Sequence, residues 1–126
     1  MTKIVEDRAE WGSSAAESRA VIKAGPYSNN VLVLSSGTAR ATYQGDTANA
    51  GVRLMIDNGQ TPVYSDSTEA RASNMTFTTA ASANRVLPAG ESVDITAAAA
   101  PVGSGAQSGR GFESRVELHV ICLNID

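Results

Sequence analysis

Hydrophobic and polar residues alternate along most of this chain, in short runs separated by turn-forming residues. The last run is the clearest: Phe112, Ser114, Val116, Leu118, Val120 and Cys122 occupy every second position. This period is typical of a β-strand with one covered face and one wet face. Similar runs recur from Arg19 onward at roughly ten-residue spacing, as they do in sandwiches and barrels. The pattern therefore predicts an all-β, antiparallel β-sandwich.

The predicted strands follow these runs. They cover residues 19–24, 31–34 with a continuation over 38–43, 52–57, 61–64, a run through Met75, Phe77 and Thr79, a strand ending at Val86 and Leu87, 93–97, and 112–125. Residues 31–34 are apolar on both faces, which favours a central, covered strand. Asp57-Asn58-Gly59 is the strongest hairpin signal, because these residues tolerate positive φ. Pro88-Ala89-Gly90 predicts a second turn.

The N-terminal segment has the only helical signal. Asp7 to Ala20 allows a short helix, although Trp11-Gly12-Ser13-Ser14 interrupts it. We therefore predict that residues 1–18 form an arm or short helix packing on the sandwich or on a neighbour, and that residues 19–126 form the single sandwich domain.

The wet face of the last strand changes character along its length. It begins with Glu113, Arg115, Glu117 and His119 and ends with Ile121, Leu123 and Ile125. A strand end that is apolar on both faces requires a cover. Two covers are open: the chain's own N-terminal segment, with Ile4, Val5 and Trp11, or a neighbouring subunit. The predicted oligomer or partner interface comprises Ile121, Leu123, Ile125 and Trp11.

Composition independently favours an oligomer. Ala, Gly, Ser and Thr occupy 55 of the 126 positions, whereas Leu, Ile, Val and Phe occupy 25. A lean core in a short chain is usually supplemented by disulfides, metals or oligomerisation. Cys122 is the only cysteine, and one Cys with one His is too few for a structural zinc site. Oligomerisation remains, and Cys122 is expected to be a buried thiol in its strand.

Charge and hydropathy exclude other partners. The net charge is −3, and eight Arg and two Lys are dispersed singly, unlike the concentrated basic face of nucleic-acid binders. No apolar stretch approaches the length of a membrane span, and the first residues lack the apolar core of a signal peptide. We expect no nucleic acid or membrane partner, and synthesis in a cytoplasm.

The motifs of catalysis are missing from the sequence. His119 is the only histidine, there is no Gly-x-Ser-x-Gly elbow, and Gly103-x-Gly105 lacks the rest of a nucleotide-binding loop. The glycine-rich stretch from Gly103 to Gly111 is expected to be a flexible contact loop. The sequence predicts a protein that is not an enzyme and has no metal or cofactor.

The C-terminal half resembles small virion-associated β-sandwich modules of tailed phages. The resemblance rests on three features: "LPAGESVDIT" at Leu87 to Thr96, the Gly/Ser loop after it, and "RVELHVICLNI" at Arg115 to Ile125. The resemblance covers about a third of the chain and implies a jelly-roll-like fold. It also implies a non-enzymatic virion structural protein, such as a bacteriophage capsid decoration or a head or tail appendage. Such modules are homo-oligomers, often trimers, that contact a capsid or tail protein.

Two alternatives stay open. A carbohydrate-binding, lectin-like module would use aromatic platforms with nearby amides and carboxylates, for which the candidate residues are Tyr27 with Asn29 and Asn30, and Tyr64 with Asp66. A phage appendage can itself bind a host glycan, so the two functions are compatible. The third alternative is an interaction domain unrelated to phages.

Overall fold

A computed structural model describes residues 2–10, 17–44, 46–68, 70–103 and 112–125. Nine β-strands occupy these ranges. They are β1 (Thr2–Glu10), β2 (Ser18–Ala24), β3 (Val31–Tyr43), β4 (Asp46–Asp57), β5 (Val63–Asp66), β6 (Ala70–Ser73), β7 (Thr76–Leu87), β8 (Val93–Val102) and β9 (Phe112–Asn124). Across these ranges we find no helix long and apolar enough to cross a membrane.

The strands form two antiparallel sheets. The first sheet has the order β1-β9-β3-β7, and the second has the order β2-β8-β4-β5, with β6 also paired to β4. The chain changes sheet at β2, β3, β4, β7, β8 and β9, so successive strands wind around the sandwich. This winding is the jelly-roll arrangement, which confirms the predicted all-β, jelly-roll-like sandwich.

The core lies between the inward faces of the two sheets. Alternate residues are buried along β3, from Ala50 to Ile56 of β4 and from Ser114 to Cys122 of β9, and Leu54, Ile56 and Leu118 are completely so. Gly37 of β3 marks a close approach of the sheets, because a Cβ there would lie 3.3 Å from Ile56 Cδ1. Ala97 and Ala99 of β8 are also fully buried. Small residues therefore fill part of this core, and Gly37 lies where the two sheets approach closely.

Several local predictions are confirmed. Ile95 and Ala97 point inward on β8, and the Cys122 thiol is buried on β9. Gly59 follows β4 with a φ of +87°. Its N–H donates to Asp57 Oδ1 at 2.8 Å. The carboxylate thus holds the turn, as Asp does by bonding to the backbone two residues on.

The helix expected for Asp7 to Ala20 is wrong at both of its described ends. Residues 7–10 belong to β1 and residues 18–20 belong to β2. β1 pairs with β9 from Thr2↔Ile121 to Glu10↔Glu113, and this continuous ladder outweighs a weak helical propensity. Trp11 lies outside the described residues, as do positions 104–111 of the predicted glycine loop. The boundary at residue 18 remains a prediction.

Three smaller expectations also change. The strand predicted over 61–64 runs from Val63 to Asp66. Met75 precedes β7 and is exposed, so only Phe77 and Thr79 of that run point inward. Residues 31–34 do belong to a central strand, but Leu32 and Leu34 face outward and are only half-buried.

A candidate interaction surface on the outer face of the first sheet

The apolar end of β9 is part of a larger group of outward-facing side chains. β3 lies between β9 and β7, and its register places Leu32 opposite both Leu123 and Val86. The next outward row joins Leu34 to Ile121. Directly opposed residues on one face of a sheet are close enough to interact. We call this group, together with the exposed Ile125 just after β9, the end cluster, and it comprises Leu32, Leu34, Val86, Ile121, Leu123 and Ile125.

The end cluster is open to solvent. Ile121 is 39% exposed, Leu123 46%, Ile125 49% and Val86 51%. The N-terminal segment was one expected cover, but β1 lies beside β9 in the plane of the sheet. Its register begins at Thr2↔Ile121, so the β1 ladder does not extend along the strand to Leu123. Isolated exposed apolar residues are ordinary, whereas exposed apolar residues that lie together are typical of interaction surfaces.

The other half of the same face is charged, and its charges are paired. Arg115 Nε lies 3.9 Å from Glu113 Oε1, and His119 Nε2 contacts Glu117 Oε1. These side chains are 31–42% exposed, so water partly screens the pairs. The charged half of β9 thus contains two ion pairs between residues of the same strand.

A shallow groove of about 580 Å³ lies beside the charged half. The hydroxyl and methyl groups of Thr38, Thr78 and Ala80 line it, and the Arg40 and Arg115 side chains flank one end. A second depression of similar volume continues it past Ser36 and Ser82 to His119. Small outward side chains on β3 and β7 create this groove, because they leave the longer β9 side chains standing above them.

The groove brings a serine next to the only histidine, yet not in a catalytic arrangement. Ser36 is the cross-strand neighbour of His119. The ring of His119 contacts Glu117, and among the described residues no hydrogen bond joins the Ser36 hydroxyl to the ring. A nucleophile needs such a contact with its base. Within the described ranges there is also no group of three His, Cys, Asp or Glu residues suited to a metal ion.

Two of the sequence-predicted glycan residues, Tyr27 and Asn30, form hydrogen bonds within the protein. The Tyr27 hydroxyl donates to Cys122 Sγ at 3.6 Å, and burial together with this bond raises the pKa of Tyr27. Asn30 Oδ1 accepts a hydrogen bond from the Ala89 N–H at 2.9 Å. These contacts tie the loop after β2 to β9 and to the turn before β8. Asn29 is exposed between them.

The other predicted pair, Tyr64 and Asp66, lies on the outer face of the second sheet. Tyr64 is 61% exposed on β5. Both Asp66 oxygens accept hydrogen bonds from Arg53, at 2.7 and 3.2 Å, and these bonds lower the pKa of Asp66. The five candidate residues therefore do not form one site, since Tyr27 contacts β9 and Tyr64 belongs to the opposite sheet.

Sequence reasoning identified Ile121, Leu123 and Ile125 but missed Leu32, Leu34 and Val86. The signal for Leu32 and Leu34 was present, since residues 31–34 are apolar on both faces. What it lacked was the strand order, because only the placement of β3 between β7 and β9 joins the two groups.

Comparisons with known proteins find similarity in fold. No protein-family model matches the sequence, and no curated protein does. The fold is similar to VP2 of infectious bursal disease virus in a subviral particle, with 11% identity, a TM-score of 0.45 and coverage of 98% of this chain and 33% of that chain. This chain thus spans about a third of the VP2 chain.

Two shorter proteins are also similar in fold. The virus-like particle protein of the extra small virus of the prawn Macrobrachium rosenbergii has 7% identity and a TM-score of 0.32, over 94% of this chain and 79% of that chain. TmCBM61, solved with β-1,4-galactotriose, has 8% identity and a TM-score of 0.39, over 95% of this chain and 87% of that chain.

Proposed function

We propose that this protein is a non-enzymatic structural subunit of a virus particle, and that copies of it assemble through the end cluster. The observation that carries the proposal is the contiguous apolar group at one end of the first sheet, half-exposed and without a cover among the described residues. A surface of this kind is typical of a protein–protein interface.

Energetics support an assembly role for the end cluster. Its exposed members retain about half of their accessible surface, so covering each one contributes about 1 kcal/mol. In a contact between two copies, the end clusters of both are covered, so the contribution doubles. Such a sum is comparable to the stability of a small domain, which is about 5–15 kcal/mol.

We assign the protein more finely to the decoration or appendage subunits of a bacteriophage capsid, head or tail. The sequence resemblance to phage modules supports this assignment, as does the abundance of small residues. In this role the protein is a homo-oligomer, with a trimer expected, that also contacts a capsid or tail protein. Its location is then the virion.

The test replaces one member of the end cluster with a charged residue. Leu123→Asp places a carboxylate in the centre of the cluster, where a covered charge without a partner is strongly unfavourable. We expect the wild-type protein to have an oligomeric mass by light scattering during size exclusion. The variant should stay folded by circular dichroism and have a smaller mass.

Thr38→Asp is the matched control. It adds the same charge to the same sheet face, but outside the end cluster, and it should leave the wild-type mass unchanged. A monomeric wild-type protein, or a Leu123→Asp variant of unchanged mass, would overturn the proposed assembly.

A second candidate function is carbohydrate binding, favoured by the exposure of Tyr64. An exposed aromatic ring beside a carboxylate can stack on a sugar ring while the carboxylate accepts its hydroxyls. A glycan array with the wild-type protein and with Tyr64→Ala tests this function. Binding that disappears in the variant supports it, and an array without hits removes it.

A further inference from the structure

The free edge of the first sheet carries an inference independent of the end cluster. Among the described strands, β7 ends this sheet, and its ladder to β3 runs without a register shift from Thr42↔Thr76 to Val31↔Leu87. An open strand edge displays unpaired N–H and C=O groups, and natural proteins normally protect such edges with charges, prolines, bulges or short strands.

The other sheet edges have these protections. β1 carries Lys3, Glu6, Asp7, Arg8 and Glu10 along its sequence. β2 is seven residues long with Arg19 and Lys23 facing solvent, and β5 has only four residues. β7 differs, because it is twelve residues long, contains no proline, and has no charged residue from Thr76 to Asn84.

The alternation of hydrogen-bonded pairs between β3 and β7 shows which backbone groups of β7 face the open side. The Tyr43 N–H donates to the Met75 carbonyl at 2.8 Å, so that pair is hydrogen-bonded, and every second pair along an antiparallel ladder is too. The inward-facing residues of β7 are therefore bonded to β3. The alternate residues direct their backbone groups to the open side, and all are exposed: Thr76, Thr78, Ala80, Ser82 and Asn84.

Arg85 closes one end of this open stretch. Its Nε donates to the Val86 carbonyl at 3.3 Å, and its Nη1 donates to the Asn58 carbonyl at 3.0 Å. The Val86 carbonyl is thus already occupied on the open side. The free edge therefore consists of the five alternate residues from Thr76 to Asn84, and Ala80 is the central one.

We infer that the β7 edge pairs antiparallel with the β7 edge of a second copy, in a register centred on Ala80. This register places Thr76 opposite Asn84, Thr78 opposite Ser82, and Ala80 opposite itself. Five residues per strand each exchange one N–H and one C=O, which gives about ten hydrogen bonds. The facing side chains are small and neutral, so no like charges meet.

The symmetry of this contact argues for a second copy as the occupant. A two-fold contact closes on itself and leaves neither β7 edge free, whereas a head-to-tail contact would continue into a fibre. The two paired β7 strands join two four-stranded sheets into one. The end clusters lie away from the two-fold centre, so both contacts can form in one assembly.

The test separates this contact from the end cluster. In the Leu123→Asp background, sedimentation velocity over a range of concentrations should show a dimer. Adding Ala80→Lys places two ammonium groups opposite each other, and we expect the dissociation constant to rise about tenfold or more. Adding Thr38→Lys instead puts the same charge on the neighbouring strand of the same face and should leave the dimer intact.

A crosslink checks the register. Residues opposed in a hydrogen-bonded pair have Cα atoms about 5.5 Å apart, within the range of a disulfide. Ala80→Cys should therefore give a crosslinked dimer under mild oxidation, whereas Thr38→Cys should not. The native Cys122 is buried and does not interfere.

Two results would overturn the inference. One is a Leu123→Asp protein that is monomeric at all concentrations, and the other is a dimer that Ala80→Lys leaves unchanged. Neither result bears on the proposed function, which fails only if the wild-type protein is monomeric or Leu123→Asp leaves its mass unaltered.

Discussion

The two halves of β9 share a backbone ladder and a sheet face but differ in what their outward side chains need. In the first half, Glu113 with Arg115 and Glu117 with His119 form pairs within the strand. In the second half, Ile121 and Leu123 have no such option, because apolar side chains are stabilised only by removal from water. The comparison teaches that the charged half forms ion pairs within its own strand, whereas the apolar half remains exposed to solvent.

The largest expected effect is on the inward face of β9. Leu118 is fully buried between the two sheets, and Leu118→Ala should lower the free energy of unfolding by about 2–5 kcal/mol through lost burial and a cavity. Leu123→Ala, measured by urea unfolding in the Ala80→Lys background at low protein concentration, should cost about 1 kcal/mol or less. Equal losses of unfolding free energy in the two variants would mean that Leu123 is already covered in the monomer. The contrast between the two faces of β9 would then be wrong.

Added salt should have opposite effects on the interactions of the two halves of β9. Added sulfate strengthens apolar association and screens ion pairs. In the Ala80→Lys protein, where the end cluster is the remaining contact, the dissociation constant should therefore fall several-fold as sulfate is added. Sedimentation at increasing sulfate measures this change. A dissociation constant that rises with sulfate would place the charged half, not the apolar half, at the interface.

A smaller effect is expected within the charged half itself. Glu117→Gln removes the carboxylate that contacts His119, on a surface that water screens. The free energy of unfolding should change by less than about 1 kcal/mol, and the oligomeric mass should not change. Urea unfolding and light scattering of the same sample check both expectations. A change of mass would show that the charged half also contributes to assembly.

The smallest effect belongs to the ion pair on the opposite sheet. Arg53 lowers the pKa of Asp66 from its ordinary value of 3.8, so the native state favours the carboxylate. The resulting stabilisation is fully present when the pH is above the ordinary pKa, and it is lost as the pH falls through the lowered pKa of the native state. Because the pair is half-exposed, it contributes well under about 1 kcal/mol. Acid unfolding of Arg53→Gln should differ from wild type by that amount, and a larger difference would indicate a shared network.

Much of the fold was predictable because alternation is a local signal. The inward and outward residues of β8 and β9 follow directly from period two, and so does the buried Cys122. The turn at Gly59 was predictable because Asp and Gly have specific backbone chemistry. β1 was not, since Lys3, Glu6, Asp7 and Glu10 blur its pattern and its partner, β9, is distant in sequence.

The candidate surface was only half predictable for the same reason. The apolar run at Ile121, Leu123 and Ile125 is visible in one strand. Its extension to Leu32 and Val86 depends on three strands lying side by side in one register. The free edge of β7 likewise depends on the strand order, and no sequence pattern within β7 predicts it.

The position of β9 also has a consequence for the time course of folding. β9 separates β1 from β3, so the first sheet cannot close until the last strand in chain order has been synthesised. Thr2 pairs with Ile121 across almost the whole sequence. Sandwiches dominated by such distant pairings fold on the order of milliseconds to seconds. Until then β1 and β3 lack their common neighbour, and the end cluster does not exist as a surface before β9 has joined the sheet.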